Sequence, residues 1–214
     1  MLDAGSRDRT VAFARGAGAR VVQREWTGFI EARRFALSQV HTPWALMIDA
    51  DEALDDVLRD EILRASPELD AYRVKRTTYF CGKPMRIWRD EKLVRLFRTD
   101  RVILEPHPAA AKTAPLHEGW RCDGRVGDLR GTLLHYSYPD VASYRAKYDR
   151  YTELEAAHMQ GSLIGFVAAW ATSLFRLAWM LVARGAILDG PRGWYVAYHS
   201  ATYPAVAARK AIFR

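Results

Sequence analysis

The chain has 214 residues and a mass of 24.4 kDa, 50% hydrophobic and 27% charged, enough to bury the core of one globular domain and too apolar for a disordered chain. Its 32 Lys and Arg against 25 Asp and Glu give a formal charge of +7, which points to an anionic partner but does not choose among nucleic acid, a lipid surface and a phosphorylated substrate. Cys81 and Cys122 match no zinc or redox spacing and read as reduced thiols on the cytosolic side, and Asp3, Arg7, Asp8 and Arg9 break any apolar run of signal-peptide type.

In chain order, residues 1–6 read as the end of a strand opening into a turn, followed by an amphipathic helix over about 8–16 that Gly16 and Gly18 stop. A short strand is predicted over 20–24, a helix over 29–40, and an apolar strand over 44–48 that ends abruptly in acid. Strand, helix, strand, helix, strand within about fifty residues is the pattern of a parallel α/β sheet. Apolar residues at helical spacing follow over 54–63, then strands over 71–80 and 92–97, with Cys81-Gly82-Lys83-Pro84 as a turn between them. Residues 106–131, rich in Pro, Gly and His, read as loop, and 140–159 returns to helix. Residues 163–188 are strongly apolar, but Arg176 and Arg184 interrupt them. A central arginine costs roughly 2.5–3.5 kcal/mol on insertion scales. A helix lying in a membrane interface, with Arg176, Arg184, Arg192, Arg209 and Lys210 near anionic headgroups, and an ordinary buried helix both fit.

The most informative segment is Asp49-Ala50-Asp51-Glu52, three acids in four positions at the carboxyl end of an apolar strand. Open α/β sheets bind ligands at that edge. Clustered carboxylates repel, and a divalent cation that bridges to phosphate oxygens would remove the conflict. The alternative is a helix N-cap formed by Asp49 or Asp51. A second acidic turn, Asp3-Ala4-Gly5-Ser6-Arg7-Asp8, also sits at a strand end, and two such turns on one sheet edge would make a pocket. Arg95 and Arg98 lie three apart in a predicted strand, so only one can serve that pocket, as a partner for phosphate. His135, beside Tyr136 and Tyr138, could contact an acceptor sugar or be a satisfied core histidine.

The Asp3 turn, continuing Arg9-Thr10, resembles the DxGSxDxT turn of family 2 inverting glycosyltransferases, and Asp49-Ala50-Asp51-Glu52 resembles their DxD motif. Within that family the chain looks like lipopolysaccharide core β-1,4-glucosyltransferases, through Trp26-Thr27-Gly28-Phe29, Arg95-Leu96-Phe97-Arg98, His117-Glu118, Leu133-Leu134-His135-Tyr136-Ser137-Tyr138 and Ile187-Leu188-Asp189-Gly190-Pro191-Arg192-Gly193. The resemblance implies a GT-A, Rossmann-like, mostly parallel sheet over 1–138 and a helical, membrane-docking region over 139–214. It implies that Asp3 contacts the donor base, Asp49 lies near the ribose and Asp51 reaches a diphosphate-bound Mg²⁺ or Mn²⁺. Glu118 is then the general base, with His117 beside it on the acceptor side.

Family 2 enzymes carry a strand and a helix ahead of the Asp3 turn; the chain begins at the turn itself, so an exposed sheet edge is expected there. The function these features imply is transfer from a nucleoside-diphosphate sugar, UDP-glucose by resemblance, to a lipid-linked saccharide of the lipopolysaccharide core. The setting would be the cytoplasmic face of the bacterial inner membrane, in peripheral contact with its anionic surface. Transfer to a polyprenyl phosphate and a non-catalytic interaction role are the rival readings. A nucleic-acid partner is not expected, because the basic residues are scattered and no such motif is present.

Overall fold

The computed structural model describes residues 1–66, 68–89, 91–106 and 118–213, with side chains for all of these except Pro106 and Glu118. The first unit is β1 (Leu2–Asp3), α1 (Thr10–Gly16) and β2 (Val22–Gln23), with the two strands paired parallel as their crossover helix requires. α2 (Phe29–Ser38) leads to β3 (Trp44–Leu46), and β4 (Glu52–Leu54) precedes α3 (Asp56–Leu63). Asp55, not Asp49 or Asp51, is the N-cap of α3, accepting from the Leu58 amide at 2.7 Å. The helix-cap alternative for the acidic segment is thereby replaced.

β5 (Ala71–Phe80) turns through Cys81 and Gly82, both at positive φ, into β6 (Lys83–Pro84). Two consecutive residues at positive φ match the twist of the flanking strands, so the hairpin is tighter than the four-residue turn expected. A 3-10 turn (Arg86–Trp88), β7 (Lys92–Arg98) and β8 (Val102–Pro106) follow, then β9 (Glu118–Cys122) and β10 (Val126–Tyr138). β10 and β9 occupy much of the segment predicted as loop. The sequence hides β10 behind Gly127 and Gly131, yet Gly131 is where the strand touches α3, since a Cβ there would overlap the Leu58 backbone.

The main sheet runs β3-β7-β5-β10-β4, with β6 added on β5, and β8-β9 and β1-β2 stand as separate pairs. Within it only β5 and β10 are parallel; β3/β7, β7/β5 and β10/β4 are antiparallel. The expectation of a mostly parallel sheet is corrected to a mixed one. Its physical source is the short links between β5 and β7, which allow only return strands, whereas parallel neighbours need long crossovers. Among the described residues β3 is an end strand of the main sheet and β1 pairs with β2.

After Tyr138 the chain is helical: α4 (Val141–His158), α5 (Leu163–Val182) and α6 (Pro191–Ile212). Asp140 caps α4 by accepting from Ser143 N–H at 2.6 Å, and Ser162 caps α5 through Gly165 N–H. These helices close on the sheet through one apolar cluster in which Phe80, Met85 and Ile87 meet Tyr144, Leu181, Ala186 and Val196. Gly193 lets α6 approach the turn before it, because a side chain there would strike the Ala186 carbonyl. Among the described residues α5 is the one helix long and apolar enough to cross a membrane by length and composition. Arg176 is its single charge; Arg184 lies beyond its end.

Candidate active site

β3 and β4 lie at opposite ends of the main sheet, and residues 47–51 carry the chain from one to the other. The link therefore crosses the strands between them and hydrogen-bonds to β7 and β10. Met47 N–H donates to the Arg95 carbonyl on β7 at 2.8 Å, and Tyr136 N–H on β10 donates to the Asp51 carbonyl at 2.8 Å. A reciprocal turn fixes the middle: Asp49 N–H donates to the Glu52 carboxylate at 2.9 Å and Glu52 N–H to the Asp49 carbonyl at 3.0 Å. The three acids are thus held on backbone that the sheet positions, as a precise site requires.

Their counter-charges are arginines. Arg33 of α2 and Arg95 of β7 each reach Asp49 at 3.0 Å, and Arg95 bridges on to Glu52 at 2.7 Å. Arg76 of β5 touches Glu52 at 3.4 Å and is anchored by Glu91 at 2.6 Å. The Glu52 side chain is 0% exposed, and these two guanidiniums are its counter-charges. Burial opposes ionisation of Asp49, but the Arg95 and Arg33 charges outweigh it and hold that carboxyl below its ordinary range. The repulsion assigned in sequence to a cation is thus already met by protein for two of the three acids.

Asp51 is different. Its side chain is 42% exposed and its Oδ2 lies 3.2 Å from His135 Nε2. The His135 hydrogen bond, against a cost of burial, lowers the Asp51 pKa. His135 Nδ1 in turn meets Thr78 Oγ1 at 3.1 Å. With both ring nitrogens engaged and the ring buried, His135 matches the satisfied histidine of the two readings and orients Asp51. Lys147 of α4 also approaches, with its Nζ donating to Ser137 Oγ at 2.9 Å over the Tyr138 ring. Burial pushes the Lys147 ammonium below its ordinary value, and the Asp51 charge opposes that.

Among the described residues no three His, Cys, Asp or Glu side chains gather as a metal cage. Mg²⁺ and Mn²⁺ need less, one or two carboxylates with waters and phosphate oxygens. Asp51 fits that need, being half-exposed and fixed by a histidine; Asp49, under two guanidiniums, does not.

The other predicted residues fall as follows. Asp3 is buried and makes its hydrogen bonds within the first unit, to Ser6 Oγ at 2.5 Å and Gln23 Nε2 at 3.2 Å. Ser6 and then Gln23 hold its carboxyl below the usual range despite burial. Arg95 joins the acidic centre, while Arg98 pairs with Asp100 at the surface, outside it. Glu118 opens β9, paired in register with Pro106. His117 lies outside the described residues. Sequence reasoning missed Arg33, Arg76, Thr78 and Lys147. A signal existed for two of them: Arg76 and Thr78 break the apolar alternation set by Val74 and Phe80 on one face of β5.

The model of the family described as "Glycosyl transferase family 2" matches residues 1–113. The lipopolysaccharide core biosynthesis glycosyltransferase LpsC of Rhizobium meliloti (strain 1021) is 33% identical over 168 residues, 73% of this chain and 60% of that protein. An uncharacterized glycosyltransferase of Rickettsia prowazekii (strain Madrid E) is 36% identical over 165 residues, 73% of this chain and 56% of its own length. The chain thus spans little more than half the length of these relatives. On a match that takes in the Asp3 turn, the acidic crossing and Arg95, the chain belongs to glycosyl transferase family 2.

Proposed function

We propose that the chain binds a nucleoside-diphosphate sugar at the acidic crossing and takes part in inverting sugar transfer to a lipid-linked saccharide of the lipopolysaccharide core. The observation that carries the reading is the division of labour along residues 49–52. Arginines neutralise Asp49 and Glu52, and the half-exposed Asp51 is left to face a ligand. Likeness to LpsC supports the acceptor class, and UDP-glucose is the donor put forward.

A divalent cation bound at Asp51 would supply Lewis-acid stabilisation of the departing diphosphate. The chain's own residues do the rest. Asp49 lies toward the ribose, Asp3 toward the base, and His135 keeps the Asp51 carboxylate aimed. Glu118 takes the proton from the acceptor hydroxyl as its oxygen bonds to the anomeric carbon and the bond to the diphosphate breaks, which inverts that carbon.

The exposed face of α5 supports docking on an anionic membrane surface at the cytoplasmic side. Leu163, Ile164, Val167, Leu174, Phe175 and Val182 are exposed, while Ser173 and Leu181 pack inward, Ser173 donating to the Ala201 carbonyl of α6 at 3.1 Å. A helix bound along one side to α6 and apolar along the other fits the interface plane.

The test is transfer of labelled glucose from UDP-glucose to deacylated core saccharide. Glu118→Gln is expected to keep donor binding and to lose transfer by about 10²- to 10⁴-fold. Transfer at the parent rate by Glu118→Gln would remove Glu118 as the base.

A further inference from the structure

A second charged site lies apart from the acidic crossing. A cavity of about 400 Å³ opens between β5, the β5–β6 hairpin, the 3-10 turn after it and the start of α6. Its lining includes Lys75, Lys83, Arg86, Arg89 and Arg192. Among the described lining residues the carboxylate is Asp189, engaged with the Arg86 amide at 2.8 Å and the Arg86 side chain at 3.8 Å, while Arg89 donates to the Ala183 carbonyl at 3.1 Å. Lys75, Lys83, Arg86 and Arg192 around one concavity place more positive than negative charge there, and an anion with several acceptor oxygens relieves their repulsion.

That anion is not the donor diphosphate held at Asp51. Alternation along β5 turns Lys75 and Thr77, which line the cavity, away from the face that carries Arg76 and Thr78 into the acidic centre. The rim gives a second clue. Leu188 lines the cavity yet is 66% exposed, and Ile187 beside it and Val182 at the end of α5 are exposed too. A cationic concavity with an apolar lip matches one ligand chemistry: a phosphate ester joined to a hydrocarbon chain.

The geometry points to this cavity as a binding site for the phosphate headgroup of an anionic membrane phospholipid, held by Lys75, Lys83, Arg86 and Arg192 with the acyl chain leaving over Leu188. It deepens the docking proposed for α5 by adding a headgroup site to an apolar face, and it rests on that docking. α5 supplies attraction to any bilayer; the cavity supplies preference for anionic lipid.

The experiment is co-sedimentation of the full chain with vesicles of phosphatidylcholine alone and of phosphatidylcholine with phosphatidylglycerol. The expected result is a preference for the anionic vesicles that Lys75→Glu/Lys83→Glu lowers at least tenfold and Lys75→Gln/Lys83→Gln lowers less. Arg7→Glu/Arg15→Glu, the same change in net charge on exposed positions of the first unit, is expected to keep the preference. Circular dichroism and melting temperature check that each variant is folded. Equal losses in both charge-reversal pairs would overturn the site in favour of diffuse attraction. Equal binding of the parent to both vesicle types would overturn the cavity and leave α5 docking standing; no binding to either would overturn both. A thermal shift with inorganic phosphate that vanishes in Lys75→Gln/Lys83→Gln, without vesicle preference, would make the ligand a soluble anion and overturn the lipid. None of these readouts involves nucleotide, so donor binding at Asp51 stands or falls separately.

Discussion

Arg95 carries more of the site than any other single side chain. It is buried, bridges Asp49 to Glu52, donates to Met47 Sδ at 3.2 Å, and among the described residues its Nε is buried without a partner. Breaking a buried ion pair by removing one partner costs about 3–5 kcal/mol. Arg95→Met is therefore expected to lower the stability measured by urea unfolding by about 3 kcal/mol. Arg95→Lys should rescue it poorly, because an ammonium cannot hold two carboxylates with a planar fork. A loss within about 0.5 kcal/mol, the range of ordinary surface changes, would show that Glu52 does not depend on it. At this scale the sequence made Asp49, Asp51 and Arg95 legible, since an acid run after an apolar strand and an arginine in a neighbouring strand are local patterns. It could not show that Arg33 and Arg76 neutralise two of the acids, because those contacts join residues 16 and 24 positions apart, one from helix α2 and one from strand β5. For His135 the sequence left two readings open, and only the fold reveals that Asp51 and Thr78 engage its ring.

Among the elements, β10 and α3 are joined by a carboxylate. Glu61 accepts from Gly131 N–H at 2.8 Å and from Arg130 N–H at 2.7 Å. The Gly131 amide, then the Arg130 side chain, hold its carboxyl below the ordinary value near 4.5. A depressed folded-state pKa gives stability that is present above the unfolded value and is lost as pH falls through the folded one. Glu61→Gln is expected to flatten that acid limb, so parent and variant should differ more in urea midpoint at pH 7 than at pH 3. An unchanged difference across that range would contradict the linkage. The helices and the strands with clean alternation, such as Ala71–Phe80, were legible. Asp140 and the apolar run after Ser162 announced α4 and α5 well. β9 and β10 were not legible, because Gly127, Gly131 and the neighbouring charges look like loop until α3 is seen packed against the strand. Strand direction was hidden too, since it depends on which strands become neighbours.

Over the whole molecule, two surfaces sit on different parts of one fold: the acidic crossing at the sheet and the apolar side of α5. Leu174 and Phe175 are 76% and 75% exposed, so Leu174→Glu/Phe175→Glu should change stability by no more than about 0.5 kcal/mol per site while abolishing sedimentation with neutral vesicles. Retained sedimentation would move the membrane contact elsewhere. Among the described residues β1 pairs with β2 and α1 buries no side chain, and Asp3 is held by its own turn through Ser6. The central claim is that Asp51 presents a carboxylate to a metal-bound nucleoside diphosphate, and titration calorimetry of UDP with Mn²⁺ tests it most directly. The parent chain is expected to bind UDP only when Mn²⁺ is present, and Asp51→Asn is expected to remove that metal-dependent heat while remaining folded. UDP binding of equal strength in the parent and in Asp51→Asn, or no binding by the parent with either UDP or ADP, would contradict it.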